Sequence, residues 1–519
     1  MTELKEQLLE ILREKEQKII PENIKEGVQI FNVVGEFSGV EEDPTKLENA
    51  VVTTTLSNGT TVTGTNIITA IPSIIKRLPE GPLAISGTSA LGLLANCTAL
   101  EVFPEIDISN ITNANSMCYK CTSLTNIPTL NTSKITIGTS MFRNCTNIIA
   151  FQNTFDFSSA TDLSYCFADC TKLINAPALI IGAPNLGSMF NKCTSLKTIP
   201  SIISGAPAQV GSMFAGCDAL EEAVIDWDLT NVKSITSMFS SCKSLRKVDI
   251  QSPIGSTTFT FDSVFYNCPE LEEVVNFDTS KMNTCLDLFY NCVKLTKVPE
   301  LDCSSMNYTA NRMFQGCSSL ESVSLVNVTN KLTRVEDTWK GCTNLKTVSM
   351  SGDLSAAYSW GNAFSGCVSL ETINIHFTGA TSINFSGCTS LKNVNMDFPK
   401  ATSLSSLFNG CKNIEDVTTL SIPKATNMSN AFNNCTNLKH VAVWDTTLLT
   451  GSGLSSTFLN CPNLTNESLN NIMQICINST KITSNKTLKY IGLTSDQATI
   501  CQSLANYQAF LDAGWTTGY

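Results

Sequence analysis

Histidine and charge are what this chain has least of. Its 519 residues include 2 histidines, and only 15% are Asp, Glu, Lys or Arg, for a net charge of −11. No block of lysine or arginine occurs anywhere, so the basic footprint of a nucleic-acid binder is missing. No stretch approaches ~18 consecutive apolar residues, and no membrane insertion is expected. The opening MTELKEQLLEILREKEQK carries charge throughout its apolar stripe, unlike a secretory signal with a basic start and an unbroken apolar core, so Sec export is not expected. The closing AGWTTGY is neither a hydrophobic tail nor a basic anchor. Such a chain is expected to be soluble and made in the cytoplasm, where its 22 cysteines stay reduced. No Gly-rich phosphate loop follows a strand and no nucleophile elbow occurs, while acidic pairs such as Asp226/Asp228 lack a partner system. No catalytic, cofactor-binding or metal residue is therefore assigned, and neither an enzyme nor a cofactor is expected.

What is present is repetition. SMFSSCKSLRKV at 237–248 returns as RMFQGCSSLESV at 312–323 and NAFSGCVSLETI at 362–373. Aligned on the cysteine, the motif recurs at Cys97, Cys121, Cys145, Cys170, Cys193, Cys217, Cys242, Cys268, Cys292, Cys317, Cys342, Cys367, Cys388, Cys411, Cys435 and Cys461, spaced 21 to 26 residues apart. Leu or Ile stands at +3 in every copy, an apolar residue at +6 in all but the last, and Phe at −3 in thirteen. A period of this length is the signature of a solenoid, because one repeat cannot bury its apolar face until neighbours stack on it.

Apolar residues at −7, −4, −3 and 0, such as Ile235, Met238, Phe239 and Cys242, fit the stripe of a two-turn amphipathic helix. Ser, Thr, Asn or Asp at −8 reads as an N-cap, and Gly, Asn or Asp at −1 as the left-handed residue that ends a helix. Beyond the cysteine, Leu at +3 and Val or Ile at +6 lead into a short strand. Pro104, Pro128, Pro177, Pro200 and Pro299 at +7 require its pairing to be brief or to end there. The expected fold class is an α/β repeat, a leucine-rich-repeat-like solenoid of about sixteen 24-residue coils, each a short helix plus a short strand.

The pattern MFxxCxxLxxV, preceded by Asp-x-Ser or Thr-Asn as in FDTSKMNTCLDLFYNCVKLTKV (277–298), resembles the BspA-like leucine-rich repeats of bacterial surface proteins and their mycoplasma-type relatives. The resemblance spans roughly residues 90–465. It implies a right-handed solenoid of a kind whose members bind or adhere.

The cysteine could serve metal, disulfide or packing. A zinc site needs converging Cys-x2-Cys pairs or histidines, and here only His376 and His440 exist. Rung-to-rung disulfides are opposed by parallel Cβ vectors, and an internal thiol can pair with only one neighbour. Packing is the favoured reading: a small buried hydrophobe whose weak donor meets a backbone oxygen. Trp227, Trp360 and Trp444 likewise read as core rather than as sugar-stacking platforms.

The ends differ from the repeat. Residues 1–45 form a charged helix followed by IIPENIKEGVQIFNVVGEF, whose Gly27 to Gly35 stretch alternates toward a strand. This segment resembles an N-terminal module of tail and baseplate-associated proteins in phages of Gram-positive hosts. That resemblance implies virion attachment or oligomerisation through Pro21, Asn23, Ile24, Gly27, Ile30, Phe31 and Gly35, with a homotrimer as one outcome. Residues 46–90 carry the hairpin signal Asn58-Gly59 and are expected to cap the first coil. Residues 91–465 are the solenoid. Residues 466–519 break the period as helix, strand and helix, a helical cap over the last coil, and resemble segments closing repeat proteins in Gram-positive phages and prophages. The whole reads as a non-catalytic tail or baseplate protein. It would join other tail proteins through its N-terminus and present the solenoid to a glycan or protein on the host surface. A bacterial surface adhesin and an intracellular structural scaffold are the alternatives.

Overall fold

The structure, a computed structural model, describes residues 87–519 apart from 152, 253, 254, 256–258 and 393, together with the backbone of four short strands between residues 29 and 65. Those strands, Gln29–Ile30, Val33–Val34, Val51–Thr55 and Thr61–Thr65, form one antiparallel sheet in sequence order. Val33 pairs with Thr54 and Val34 with Thr53, so the sheet draws strands from both sides of the 45/46 boundary. The turn signal Asn58-Gly59 lies outside the described residues.

The chain divides into two compact units: residues 1–245 with 251–253, and residues 246–250 with 254–519. The described residues of both, from 87 to 465, are stacked repeat coils. In each, the recurring positions point inward: Phe239, Cys242 and Leu245 in the first unit and Phe314, Cys317 and Leu320 in the second are 0% exposed. The rings at −3 stack from coil to coil. Phe142–Phe167, Phe167–Phe190 and Phe190–Phe214 lie 5.7, 5.3 and 5.9 Å apart in the first unit, and Trp339–Phe364 and Phe364–Phe385 both 5.0 Å apart in the second. Near-parallel rings at this separation take the offset arrangement that aromatic quadrupoles favour.

The segment expected to be helical is not. Among the described residues α-helix is confined to 466–512, and the stretch before the cysteine is a run of tight turns in every coil except that of Cys388, where the strand Ser382–Ile383 takes up its first half. In the Cys242 coil, the N–H groups of Met238, Ser240 and Cys242 donate to the carbonyls of Ile235, Ser237 and Phe239 at 3.0, 3.0 and 3.2 Å, all i to i+3. Ser237 (φ 56°) and Ser241 (φ 62°) take the left-handed conformation that such turns need at their third position. The intervening N–H groups turn outward along the stack. Those of Ser212, Phe214 and Gly216 reach the carbonyls of Thr236, Met238 and Ser240 in the next coil at 2.8, 2.9 and 2.8 Å. The backbone is thus satisfied between coils rather than within a helix. The left-handed residue expected at −1 is present in every copy from Asn96 to Asn460. The polar residue at −8 does cap, but it closes a local Asx-type turn: Asn113, Asp162 and Asn427 each accept the N–H two residues on.

The proline rule holds. Val102, Asn126, Asn175, Thr198 and Lys297, each two residues before one of the +7 prolines, make only isolated bridges. The longest repeat strands, Ser322–Val328 and Thr347–Gly352, follow coils without it. They belong to the parallel four-stranded ladder of Leu301–Asp302, Ser322–Val328, Thr347–Gly352 and Thr372–Ile375. A second parallel ladder, Tyr308–Thr309, Leu332–Arg334, Ser359–Trp360 and Ser382–Ile383, runs before the turn segment of the same coils.

The C-terminal segment is more helical than expected: Asn466–Asn478, Leu488–Ile491, Ser495–Cys501 and Tyr507–Asp512, with a single bridge between Thr487 and Thr516 in place of a strand. Its carbonyls meet the ladder N–H groups of the Cys461 coil, Ser456 to Tyr490 and Phe458 to Ile491, both at 2.9 Å. Gln497 also donates from Nε2 to the Cys461 carbonyl at 2.8 Å. No helix among the described residues is long and apolar enough to cross a membrane.

Candidate recognition surface

The cysteine column comes first, because it decides whether the repeat carries chemistry. Every cysteine is a free thiol. In coil after coil Sγ donates to the carbonyl of the −3 residue in the preceding copy: Cys121 to Leu94, Cys217 to Phe190, Cys342 to Phe314 and Cys461 to Phe432, at 3.0, 3.3, 3.0 and 3.0 Å. Burial pushes the Cys217, Cys342 and Cys461 thiols up, and Cys367 and Cys411 to about 12, whereas hydrogen bonds with the Cys118 and Cys145 thiols pull Cys121 down. Neutral, hydrogen-bonded and enclosed thiols are poor nucleophiles and poor metal ligands. Among the described residues no group of three or more His, Cys, Asp or Glu is placed to hold a metal ion. Trp227, Trp360 and Trp444 are 3%, 0% and 5% exposed, so they belong to the core and not to a surface platform.

Of the attachment residues expected from the sequence, Pro21, Asn23, Ile24, Gly27, Phe31 and Gly35 lie outside the described residues. Ile30 ends the strand Gln29–Ile30 and pairs with Val33, its side chain undescribed.

The second unit builds a different surface, which sequence reasoning did not single out. It runs over the turn segment and the ladder before it. At −5, successive coils present Asp287, Arg312 and Asp337, each in the left-handed conformation (φ 58°, 56° and 54°). The Arg312 fork grips Asp287 with both arms, Nε to Oδ1 at 2.7 Å and an Nη to Oδ2 at 2.8 Å. That bidentate pairing is the strong form of an ion pair, and it raises the Arg312 pKa further. Tyr290, two residues before Cys292, also acts electrostatically on Arg312 and stacks on Tyr266 of the previous coil, ring centroids 4.9 Å apart at 10°.

At −6, Asn311 and Glu336 are tied twice: Asn311 Nδ2 donates to Glu336 Oε2 at 3.2 Å, and the Glu336 N–H donates to Asn311 Oδ1 at 2.9 Å. Ser359 Oγ donates to the other Glu336 oxygen at 2.5 Å. Arg334 lies within electrostatic reach of Glu336, and its Nε donates to the Tyr358 hydroxyl at 3.4 Å; the tyrosine oxygen is the larger cause of its raised pKa. Tyr308 and Tyr358 project from the same ladder, 66% and 44% exposed. The result is a rigid face of aromatic, guanidinium, amide and carboxylate groups, each anchored to its neighbour. Chemically it can stack, donate and accept. These are the makings of a binding surface.

Comparison with known proteins places the repeats. Residues 258–360, 311–439 and 361–478 match the BspA type Leucine rich repeat region. Residues 92–201 and 184–297 match a family described as Mycoplasma protein of unknown function. No curated protein matches the chain. Among solved structures, a leucine rich cell surface protein from Faecalibacterium prausnitzii is 21% identical, covering 59% of this chain and 81% of its own, with a TM-score of 0.30. A leucine-rich repeat protein from Bacteroides ovatus is 20% identical over 66% of this chain and 87% of its own, with a TM-score of 0.36. One from Eubacterium ventriosum is 14% identical over 75% and 94%, with a TM-score of 0.24.

Proposed function

We propose that the protein is a non-catalytic adhesive scaffold of the BspA-type leucine-rich-repeat kind, presenting its coils to a cell surface, a reading supported by the match of residues 258–478 to that repeat region. The observation that carries this reading is the interlocked Tyr–Arg–carboxylate face between Tyr266 and Ser359, built on coils whose interiors are sealed by stacked rings and neutral thiols. Rigid, pre-positioned polar and aromatic side chains bind without a large ordering cost.

In its finer form, the sixteen cysteine positions each mark one coil and residues 466–519 close the stack. The protein sits at the tail or baseplate of a virion, joined to other tail proteins through residues 1–45, as a homotrimer, and contacts a host glycan or protein. That placement is supported by the Ile19 to Gly35 motif. Immunogold labelling of the producing culture, sectioned cells and pelleted particles alike, tests it. Gold at tail tips is the expected result, gold confined to the cell envelope replaces the virion with a surface adhesin, and gold confined to the cytoplasm contradicts adhesion altogether.

A further inference from the structure

Tyr308 is out of place by the rules that govern the rest of the fold. Most left-handed residues of the surrounding coils occupy the −5 and −1 turn positions and are Ser, Asn, Asp or Gly; Tyr308 stands at −9, with φ 70°. A bulky side chain is strained there. Its equivalents in the next two coils, Thr333 and Tyr358, are not left-handed, so the strain is local to the one residue whose ring is 66% exposed. The backbone around it is fixed all the same. The Tyr308 N–H donates to the Lys331 carbonyl at 3.1 Å, Thr333 Oγ1 donates to the Tyr308 carbonyl at 2.8 Å, and the Tyr358 N–H donates to the Thr333 carbonyl at 3.1 Å.

Two exposed rings are therefore pinned two coils apart, about 10 Å at the spacing of parallel strands. Arg334 lies on the coil between them. Its Nε is spent on Tyr358, and the rest of the guanidinium has no hydrogen-bond partner among the described residues. Glu336, the carboxylate that acts electrostatically on it, is occupied by Asn311 and Ser359.

We propose that Tyr308, Arg334 and Tyr358 form a binding subsite for an extended polyuronate chain, pyranose rings stacking on the two tyrosines while the Arg334 fork takes a ring carboxylate. This rests on the adhesive reading above and names the ligand class of that face. The apolar C–H face of a pyranose matches a tyrosine ring, and a planar fork matches a carboxylate. Leu332–Arg334 and Ser359–Trp360 already have a strand partner on each side, so an added peptide strand cannot pair with either of them.

The test is calorimetric titration of the full chain with hexasaccharides of galacturonate, mannuronate and glucuronate, each also as its methyl ester. At least one acid is expected to bind, and its ester at least about tenfold more weakly, the scale of a lost anchor contact. Arg334→Gln should bring acid down to the level of ester. Tyr308→Gly should weaken binding of both forms while raising the unfolding midpoint, because glycine relieves the strained φ; a merely structural tyrosine would lower it. No binding to any of the three acids, an ester that binds as tightly as its acid, or an unchanged affinity in Tyr308→Gly overturns the proposal. Adhesion of wild type and Tyr308→Gly to producer or host cells is read in parallel. Equal adhesion by both overturns this subsite and leaves the adhesive scaffold standing, whereas no adhesion by either overturns the scaffold reading itself.

Discussion

Alkaline solution should unfold the second unit sharply, because its core is lined with thiols that can ionise only when exposed. Burial raises the pKa of Cys292, Cys317, Cys342, Cys367, Cys388, Cys411 and Cys435, to about 12 for Cys367 and Cys411. In the unfolded chain a thiol titrates near ~8.5. Above that pH the unfolded state holds fewer protons than the folded one, so stability is whole below about pH 8.5 and is lost as pH rises toward the folded values. At about pH 9.5 each thiol costs about 1.4 kcal/mol, and the seven together about 10 kcal/mol, comparable with the net stability of a whole domain. Urea unfolding followed by circular dichroism at pH 7.5, 8.5 and 9.5, with a non-thiol reductant present, reads this directly. The seven thiols should already remove about 2.5 kcal/mol between the first two, and the midpoint should collapse by the third. In Cys342→Ala the loss between pH 7.5 and 9.5 should be smaller by about 1.4 kcal/mol, one thiol's share. A midpoint that is the same at pH 7.5 and 9.5 would refute the idea that these thiols are held neutral in the core.

Phe364→Ala removes a fully buried ring stacked at 5.0 Å on both Trp339 and Phe385, and should cost about 3–5 kcal/mol in chemical denaturation. A double-mutant cycle with Phe385→Leu should return a coupling of about 0.5–1.5 kcal/mol, and a coupling near zero would mean that the rings fill space without favouring one another. Gly352→Ala should destabilise by about 1–3 kcal/mol from backbone strain alone, since Gly352 sits at φ 123°, and more because a Cβ there would fall on the Val328 carbonyl of the paired strand. If Gly352→Ala proved as stable as wild type, that strand pair would have to lie elsewhere.

The columns of the solenoid were legible because they recur: Phe at −3, Cys at 0 and Leu at +3 are all interior, and the prolines at +7 interrupt the pairing, which resumes beyond Pro177, Pro200 and Pro299. The turn segment was misread for a physical reason. Apolar residues at −7, −4, −3 and 0 satisfy a helical stripe and a chain of tight turns equally well, since both bring residues three and four apart to one side. What separates them is the polar or glycine residue at both −5 and −1, as Ser237 and Ser241 show, because a helix tolerates a left-handed residue only at its end. The recognition surface is subtler. Tyr308 and Tyr358 share a column with Thr333, and Arg312 shares one with Asp287 and Asp337, so the signal is a departure from the chain's own repeat on a solvent face. Periodicity averages such departures away. The partners of those residues, such as Asn311 on Glu336, depend on coil-to-coil register that only the fold supplies.

The cysteine column is the feature on which the interior, and with it the rigidity of the outer face, depends. Thiol titration with an aromatic disulfide reagent, with and without denaturant and checked by mass spectrometry without reduction, measures its state in one experiment. The ladder thiols from Cys145 to Cys461 should be silent in the native protein and become reactive when it unfolds, at the mass of a fully reduced chain. A large native titre, or a mass showing cysteines joined from coil to coil, would contradict a column of neutral thiols donating to backbone carbonyls.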